Sequence, residues 1–311
     1  MDATDWLLDS DPAIRWQVMA DLTDAPVETV SAERARVARE GWGAQLLALQ
    51  GDDGQWDGGT YRPGWVDHDK PFFDAWTGTH YSLQLLRDLG VDPNDSAVAT
   101  AIKRVRDNVV WEFNGAPYFH GELEPCINGI ALGVGSFFGQ SVDLIVEQLM
   151  KDQLADGGWN CDAEDGSTVS SFHTTICVVE GLLAYEAANG GSDEVAAVRK
   201  TGEEYLLERR LFKSKSTGRA VDPRFTMLSF PVRWYYDILR GLDHFRLAGP
   251  FEERCAEAVE LLVSKRDTEG RWPLENRHQG PVHFRVEGRE GSPSRWNTLR
   301  ALRVLAWAGV D

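Results

Sequence analysis

His173 is the side chain whose position most clearly suggests chemistry, because it opens the apolar run FHTTICVVEGLL over residues 172–183. The run has the composition of a buried helix, so an imidazole in its first turn either caps that helix or faces a site. Cysteine is the other soft ligand type available. The chain has four cysteines in no C-x-x-C pair, which favours free thiols or metal ligands over disulfides, and they are Cys126, Cys161, Cys177 and Cys255.

A second group of side chains could transfer protons or stabilise a cation. His80 and Tyr81 lie in the segment GTHYSLQLL, and Tyr235, Tyr236 and Asp237 lie in FPVRWYYDILRGL. Histidine, tyrosine and aspartate can act as general acids or bases, and aromatic faces attract cations. These five residues are therefore candidate catalytic residues, with ordinary packing of a cavity wall as the alternative.

A long loop precedes the segment that carries His80. Its sequence, YRPGWVDHDKPFFDAWTGTH over residues 61–80, is rich in aromatic and charged residues, and a loop of this length in a compact domain is often functional. We count Asp67 as a candidate catalytic residue, with His68 and Asp69 as possible companions. An ordinary surface loop is the alternative.

Three arginines directly precede a tryptophan in similar segments. They are Arg15 in PAIRWQVMADL, Arg233 in FPVRWYYDILRGL and Arg295 in SPSRWNTLRALRVL. Guanidinium groups that converge could bind a diphosphate or carboxylate through two hydrogen bonds each. Pairing of each arginine with an acidic neighbour is the interpretation that we favour.

Repeated segments indicate which elements position these residues. LQGDDGQWDGG (49–59) and QLADGGWNCD (153–162) share the pattern Q-x-x-D-G-x-W, and SKRDTEGRW (264–272) is a looser third copy. In each copy a helical run ends in a glycine-containing turn, and the following tryptophan can pack back on that helix. Trp56 and Trp159 are therefore predicted to be structural.

Apolar helical segments alternate with more polar ones, and strand signals are sparse. This alternation predicts an all-α fold, a closed (α/α)6 toroid formed as a single domain over residues 1–311, with an open solenoid as the alternative. Inner helices that run in one direction would bring their first residues to one rim of a central cavity. We expect inner helices near 12–22, 74–89, 124–138, 171–187, 231–246 and 294–308, and outer helices near 31–50, 95–111, 140–155, 192–211 and 250–265.

Composition limits the possible partners. The 311 residues include 49 acidic and 32 basic side chains, for a net charge of −17, which argues against nucleic acid because phosphate binding needs clustered lysine and arginine. No run reaches the roughly 18 apolar residues of a membrane span, and the acidic first residues do not form a signal peptide. We therefore expect a cytoplasmic protein, and the sequence does not indicate a protein partner.

The repeats resemble those of the terpenoid cyclase and protein prenyltransferase superfamily, in which squalene cyclases carry similar QW repeats. The resemblance implies an (α/α)6 barrel whose apolar, aromatic-lined centre holds isoprenoid chains. The D-x-D-D acid motif of class II cyclases is absent from this sequence, where the nearest stretches are VDHD at 66–69 and DAED at 162–165.

The same resemblance implies a metal site. In protein prenyltransferase β subunits an Asp-x-Cys pair at the start of one inner helix, and a histidine at the start of the next, hold a catalytic zinc. ELEPCINGIALG offers Glu124 and Cys126 in the similar place, and FHTTICVVEGLL offers His173. Three such ligands leave the fourth zinc position open, as catalytic sites do. Alternative ligands are His120, Cys161 and Asp162.

The leading hypothesis is a zinc-dependent enzyme that acts on an isoprenoid or similarly apolar small molecule in the central cavity, by transfer, hydrolysis, elimination or cyclisation. A carbohydrate-active hydrolase or lyase is the second hypothesis, with Asp67 and either Asp162 or Glu124 as its paired carboxylates. A non-catalytic module that binds an apolar ligand or a partner protein is the third.

Overall fold

The computed structural model describes residues 2–67 and 74–310, and these ranges are largely helical. The prediction of an all-α fold is confirmed. A short antiparallel pair joins β1 (Trp272–Pro273) to β2 (Pro293–Ser294). The helices, in chain order, are α1 (Ala3–Leu8), α2 (Pro12–Leu22), α3 (Val27–Arg36), α4 (Gly41–Leu47), α5 (Thr79–Leu89), α6 (Ser96–Asn108), α7 (Pro125–Phe137), α8 (Asp143–Lys151), α9 (Phe172–Asn189), α10 (Asp193–Leu207), α11 (Ile238–Ala248), α12 (Ala256–Val263) and α13 (Arg295–Ala308).

Helices α2, α5, α7, α9, α11 and α13 form an inner ring, and polar contacts join several successive members. Glu180 of α9 pairs with Arg240 of α11 at 2.7 Å, and Asp243 of α11 pairs with Arg300 of α13 at 3.5 Å. The ring closes where Arg303 Nη2 of α13 donates to the Gln17 side chain of α2 at 3.0 Å. Because the last inner helix meets the first, the arrangement is a closed ring and not an open solenoid.

Side-chain caps fix the starts of α2, α9, α11 and α13. Asp11 accepts from the Ala13 amide at 2.9 Å before α2, and Ser294 accepts from the Asn297 amide at 2.9 Å before α13. A capping side chain satisfies one of the free amide groups of the first turn, which fixes where a helix begins. Asp237 performs the same function for α11.

Two inner helices begin later than the sequence predicts. Helix α5 starts at Thr79 and not near 74, after Gly78 at the cap position. Helix α11 starts at Ile238 and not near 231, because Arg233 has a left-handed backbone with φ of 56° and Asp237 caps the helix. Tyr235, Tyr236 and Asp237 therefore precede α11, whereas the sequence places them inside a helix.

The Q-x-x-D-G-x-W repeats connect an outer helix to the next inner helix. In the first copy the Trp56 indole N–H donates to the Leu46 carbonyl at 2.7 Å, and the Trp56 amide donates to Thr79 Oγ1 at 3.1 Å. The same two bonds recur in the other copies. Trp159 donates to Leu149 at 2.7 Å and to Thr175 at 3.1 Å, and Trp272 donates to Leu262 at 2.7 Å and to Thr298 at 3.0 Å.

The glutamine of each full repeat connects its turn to the next outer helix. Gln50 Nε2 donates to the Gly54 carbonyl in the turn and to the Ala101 carbonyl of α6, both at 3.0 Å. Gln153 does the same at 2.8 and 2.9 Å, to Gly157 and to Val198 of α10. The repeat is thus structural, in agreement with the role expected for its tryptophans.

In the described part of the chain no helix combines the length and apolarity of a membrane span.

Trp159→Phe is expected to lower the free energy of unfolding by about 1–3 kcal/mol, because the buried Leu149 carbonyl loses its donor. Trp65→Phe is the matched control. Its indole N–H also donates to an oxygen, that of Asp57 at 2.9 Å, but Trp65 is 52% exposed, so water replaces the bond and the change should stay within about 0.5 kcal/mol. Urea unfolding measures both. Equal losses would contradict the structural role of the repeat.

Candidate functional site

A cavity of about 800 Å³ opens where α7 and α9 begin. The first turn of α7 contributes Cys126 to its wall and the first turn of α9 contributes His173, so these two residues do share one rim. The predicted ligand Glu124 and the alternatives Cys161 and Asp162 also line the cavity. His120 is exposed and is not part of the described wall.

Three of these residues bring metal-binding atoms together. A carboxylate oxygen of Glu124 and the Sγ atoms of Cys126 and Cys161 all lie within 4.8 Å of one another, the one such group within residues 2–67 and 74–310. The two sulfur atoms are 2.8 Å apart, and the Cys126 Sγ lies 3.7 Å from Glu124 Oε2. The Cys161 Sγ also contacts Thr174 Oγ1 at 3.5 Å.

The electrostatics of this cluster favour a cation. The contact with Cys161, together with burial, holds the pKa of the Cys126 thiol well above its usual value. The nearby Glu124 carboxylate acts in the same direction. A second thiolate in the cluster would therefore need a positive charge beside it. A bound metal ion would supply this charge and lower the pKa of its thiol ligands.

His173 lies in the same wall, but its ring nitrogens make different interactions from those of the zinc ligand that the sequence suggests. Its Nδ1 accepts a hydrogen bond from the Tyr236 backbone amide at 2.8 Å. An amide N–H can only donate, so Nδ1 has no hydrogen and Nε2 carries it. Nε2 then has no lone pair for a metal, and His173 lies outside the three-residue cluster. The cluster that the structure brings together therefore contains Cys161, an alternative from sequence, and not His173.

Burial keeps the His173 ring neutral, lowering its pKa to about 4, with the guanidinium of Arg240 acting in the same direction. Edge-to-face contacts fix its orientation, with ring centres 5.2 Å from those of Trp234 and of Phe225. His173 is therefore a fixed, uncharged N–H donor at the edge of the cavity.

His80 and Tyr81 lie behind the cavity wall. His80 is fully buried, and its Nδ1 contacts the Tyr118 hydroxyl at 3.1 Å. Burial lowers the pKa of His80 to about 3. The Tyr81 hydroxyl donates to the hydroxyl of Tyr61, a wall residue, at 3.0 Å. Neither predicted residue lines the cavity, so they support Tyr61 and do not face a ligand there.

The other predicted catalytic residues are also engaged elsewhere. Tyr235 donates to Asp74 Oδ2 at 2.6 Å, and the Tyr236 hydroxyl donates to the Leu211 carbonyl. Asp237 is buried and accepts from the backbone amides of Arg240 and Ser229 at 2.8 and 3.0 Å, which is a structural role. Asp67 is exposed and is not among the described wall residues, and His68 and Asp69 lie outside the described residues.

Sequence reasoning missed the acidity of the cavity. Among the described residues of its wall, four are acidic and one is basic, namely Glu112, Glu122, Glu124, Asp162 and Arg62. Glu112 accepts from the amides of Thr60 and Tyr61 at 2.6 and 2.9 Å, and Glu122 accepts from two amides of its own loop. The wall therefore disfavours a diphosphate and suits a cation or an uncharged molecule.

No known protein family and no curated protein matches the sequence. Among solved structures, the chain is similar to a protein from Actinoplanes with 16% sequence identity and a TM-score of 0.47, over 97% of this chain and 91% of that one. It is similar to the type II terpene cyclase MstE from Scytonema, a Tyr-to-Phe variant without ligand, with 15% identity and a TM-score of 0.47, over 96% and 86%. Likeness at these values carries no argument about activity.

The lowered pKa of His173 predicts a pH effect on stability. Between about pH 6.5 and pH 4 the unfolded chain binds a proton that the folded ring refuses, so the wild-type protein loses stability as the pH falls through this range. His173→Gln, which can still accept from the Tyr236 amide, should lose less. Thermal unfolding at pH 7 and pH 4.5 measures the difference. The control His120→Gln, at an exposed residue, should lose as much stability between the two pH values as wild type does. An equal loss in His173→Gln would contradict the prediction.

Proposed function

We propose that this protein is a zinc-dependent enzyme that acts on an uncharged isoprenoid, or a similarly apolar small molecule, in the cavity where α7 and α9 begin. Glu124, Cys126 and Cys161 are the proposed ligands. The observation that carries the proposal is the convergence of one carboxylate and two thiols within 4.8 Å on the wall of an 800 Å³ cavity.

The donor set fits zinc. Thiolate and carboxylate are ligands that zinc takes in proteins, and three protein ligands leave a fourth position for water or substrate. With Zn–S bonds of about 2.3 Å, two sulfur ligands of a tetrahedral ion lie about 3.8 Å apart. The sulfur atoms of Cys126 and Cys161 are 2.8 Å apart, so side-chain rotation that separates them by about 1 Å satisfies the geometry.

Each part of the wall has a distinct task in the proposed reaction. Zinc, when bound, supplies a Lewis acid for an oxygen of the substrate or for a water molecule. The Nε2–H of His173 donates a hydrogen bond to an oxygen that gains negative charge, and the ring remains neutral above a pKa of about 4. A donor that is fixed before the reaction stabilises developing charge without a cost of reorganisation.

The apolar character of the substrate is supported by the rest of the wall. Tyr61, Trp111 and Trp234 contribute aromatic surface. Phe113 lines the cavity and is nevertheless 76% exposed, and Leu123, beside Glu124, is 40% exposed. Apolar side chains in water at the mouth of a cavity are typical of a route for an apolar ligand. The acidic wall argues that this ligand has no phosphate, so we propose an isoprenoid alcohol, ether or ester.

Metal analysis of the purified protein tests the ligand set. Wild type is expected to hold about one zinc ion per chain, and Cys126→Ser or Cys161→Ser should lose most of it because hard hydroxyl oxygens replace thiolates. Cys255→Ser is the matched control, a buried cysteine beside α12, and should retain zinc. Elemental mass spectrometry measures the content.

His173→Gln distinguishes the ligand set of the structure from that of the sequence resemblance. Under the proposal this variant keeps its zinc and loses turnover by about tenfold or more. Loss of zinc in His173→Gln together with its retention in Cys161→Ser would contradict the assignment. A wild-type protein without zinc, after growth and purification with the metal, would contradict the zinc proposal itself.

A carbohydrate-active enzyme is the second candidate, because Glu124 and Asp162 are carboxylates in the same aromatic wall. Asp67, the third acid considered from sequence, is not among the described wall residues. A glycosidase that uses the pair would lose turnover of a sugar polymer in Asp162→Asn and keep it after treatment with a chelator. The proposed zinc enzyme, in contrast, would lose turnover after treatment with a chelator.

A further inference from the structure

The three arginines of the Arg-Trp segments have different surroundings. Arg15 pairs with Glu33, its Nε donating to Oε1 at 2.7 Å, as the favoured interpretation of the sequence requires. The guanidinium of Arg295 lies 4.8 Å from the centre of the Trp6 ring. Arg233 also lies over an aromatic ring, that of Trp76, but among the described residues it has no carboxylate partner, which raises the question of what balances its charge.

The side chain of Arg233 is buried without an acidic partner. The residue is 4% exposed, and its guanidinium makes no hydrogen bond or ion pair with a side chain of residues 2–67 and 74–310. The guanidinium lies over the face of Trp76, 5.4 Å from the ring centre. Arg240, equally buried, pairs with Glu180 at 2.7 Å. A buried charge normally has such a partner, since its desolvation is costly.

Arg233 is held in this place at a conformational cost. Its φ of 56° is in the left-handed region, which residues other than glycine and asparagine rarely adopt. Such backbone conformations are frequent at functional sites. Its carbonyl accepts from Gln84 Nε2 at 2.9 Å and from Arg240 Nη1 at 3.3 Å. Two neighbours therefore fix the backbone from which the guanidinium extends.

Arg233 lines a second cavity, of about 170 Å³. We call this cavity the Arg233 pocket. Among the described residues of its wall, three are arginines and one is acidic, and its polar side chains include Arg233, Arg277, His278, Arg285 and Glu287. Glu287 is already engaged, because it accepts from the Trp296 amide at 3.1 Å and from the Ser294 hydroxyl. In a chain of net charge −17, this wall carries a local excess of positive charge.

His278 adds an independent sign of a ligand. Its Nε2 is buried and has no hydrogen-bond partner among the described residues. The ring is fixed by stacking on Tyr235, with ring centres 4.0 Å apart and planes inclined by 11°. Burial lowers the pKa of His278 to about 3, so the ring is neutral at physiological pH and can offer one N–H donor. Buried polar atoms without partners are rare and call for an explanation.

We propose that the Arg233 pocket binds a small oxyanion, a carboxylate or phosphate group, whose oxygens accept from the Arg233 guanidinium and from His278 Nε2–H. The volume, roughly that of six water molecules, suits one such group and excludes the large ligand proposed for the first cavity. An oxyanion supplies the missing counter-charge of Arg233, and a guanidinium is the donor that matches two oxygens at once.

The Arg233 pocket is separate from the proposed zinc site. Trp234 belongs to the wall of the first cavity, and its ring stacks on Tyr235 with centres 3.8 Å apart. Tyr235 in turn stacks on His278 of the Arg233 pocket. Three stacked rings thus lie between the two cavities, and the oxyanion site does not depend on the proposed enzyme function.

Thermal unfolding and calorimetric titration at constant ionic strength, with sodium phosphate or sodium acetate replacing sodium chloride, test the site. Wild type is expected to gain stability with a saturating dependence on one of the two anions, because a ligand that binds only the folded state stabilises it. Arg233→Met should lose this response, and without added oxyanion it should be at least as stable as wild type, since the unpaired charge is gone. Arg219→Met, at an exposed loop position, should respond as wild type does.

Two further variants keep the test decisive if Arg233→Met folds poorly. Arg233→Lys retains the charge without the two-pronged donor, and His278→Phe retains the stack on Tyr235 without the N–H, so each should weaken oxyanion binding at least tenfold. No response of wild type to either anion, or an equal response in wild type and the Arg233 variants, would overturn the proposal. Zinc content, measured in the same samples, should be unchanged in all of them, which separates this result from the test of the zinc site.

Discussion

The backbone contact between α7 and α9 is the constraint on which the candidate site depends. A Cβ atom added to Gly129 would lie 2.5 Å from the Cys177 carbonyl group, so glycine alone allows the two helices to approach this closely. Gly181 meets Gly129 in the same contact. Helices packed at this distance must have their first turns side by side, and this places Cys126 and His173 in one wall.

The turn after Trp159 completes the cluster. Because the Trp159 amide and indole are hydrogen-bonded to α9 and α8, the direction of the chain after Trp159 is fixed. The Asn160 side chain then accepts from the Asp162 amide at 3.0 Å, which closes a one-turn helix over Cys161–Ala163. Cys161 is thereby turned towards Cys126. A repeat that stabilises the ring also positions a proposed ligand.

The sequence could predict the inner helices because each segment is apolar with a helical period, and some, such as α9 and α13, also have a capping serine and a terminating glycine. It could not predict the direction of the His173 ring. That direction depends on the Tyr236 amide, which is 63 positions away in the chain and is presented by a loop that the sequence suggests is helical. The position of Cys161 beside Cys126 likewise depends on a one-turn helix of three residues, for which periodicity gives no signal.

The inner helices determine both the register of the ring and the placement of the candidate site. Between neighbouring inner helices lie buried or half-buried ion pairs such as Arg240–Glu180 and Arg300–Asp243. Such pairs add little net stability, since desolvation offsets their attraction, but a wrong register would leave one charge unpaired. They therefore select the order in which the helices close. Because such pairs fix the register of the inner helices, the rim where α7 and α9 begin can hold side chains whose arrangement serves a ligand, including the thiol pair of Cys126 and Cys161.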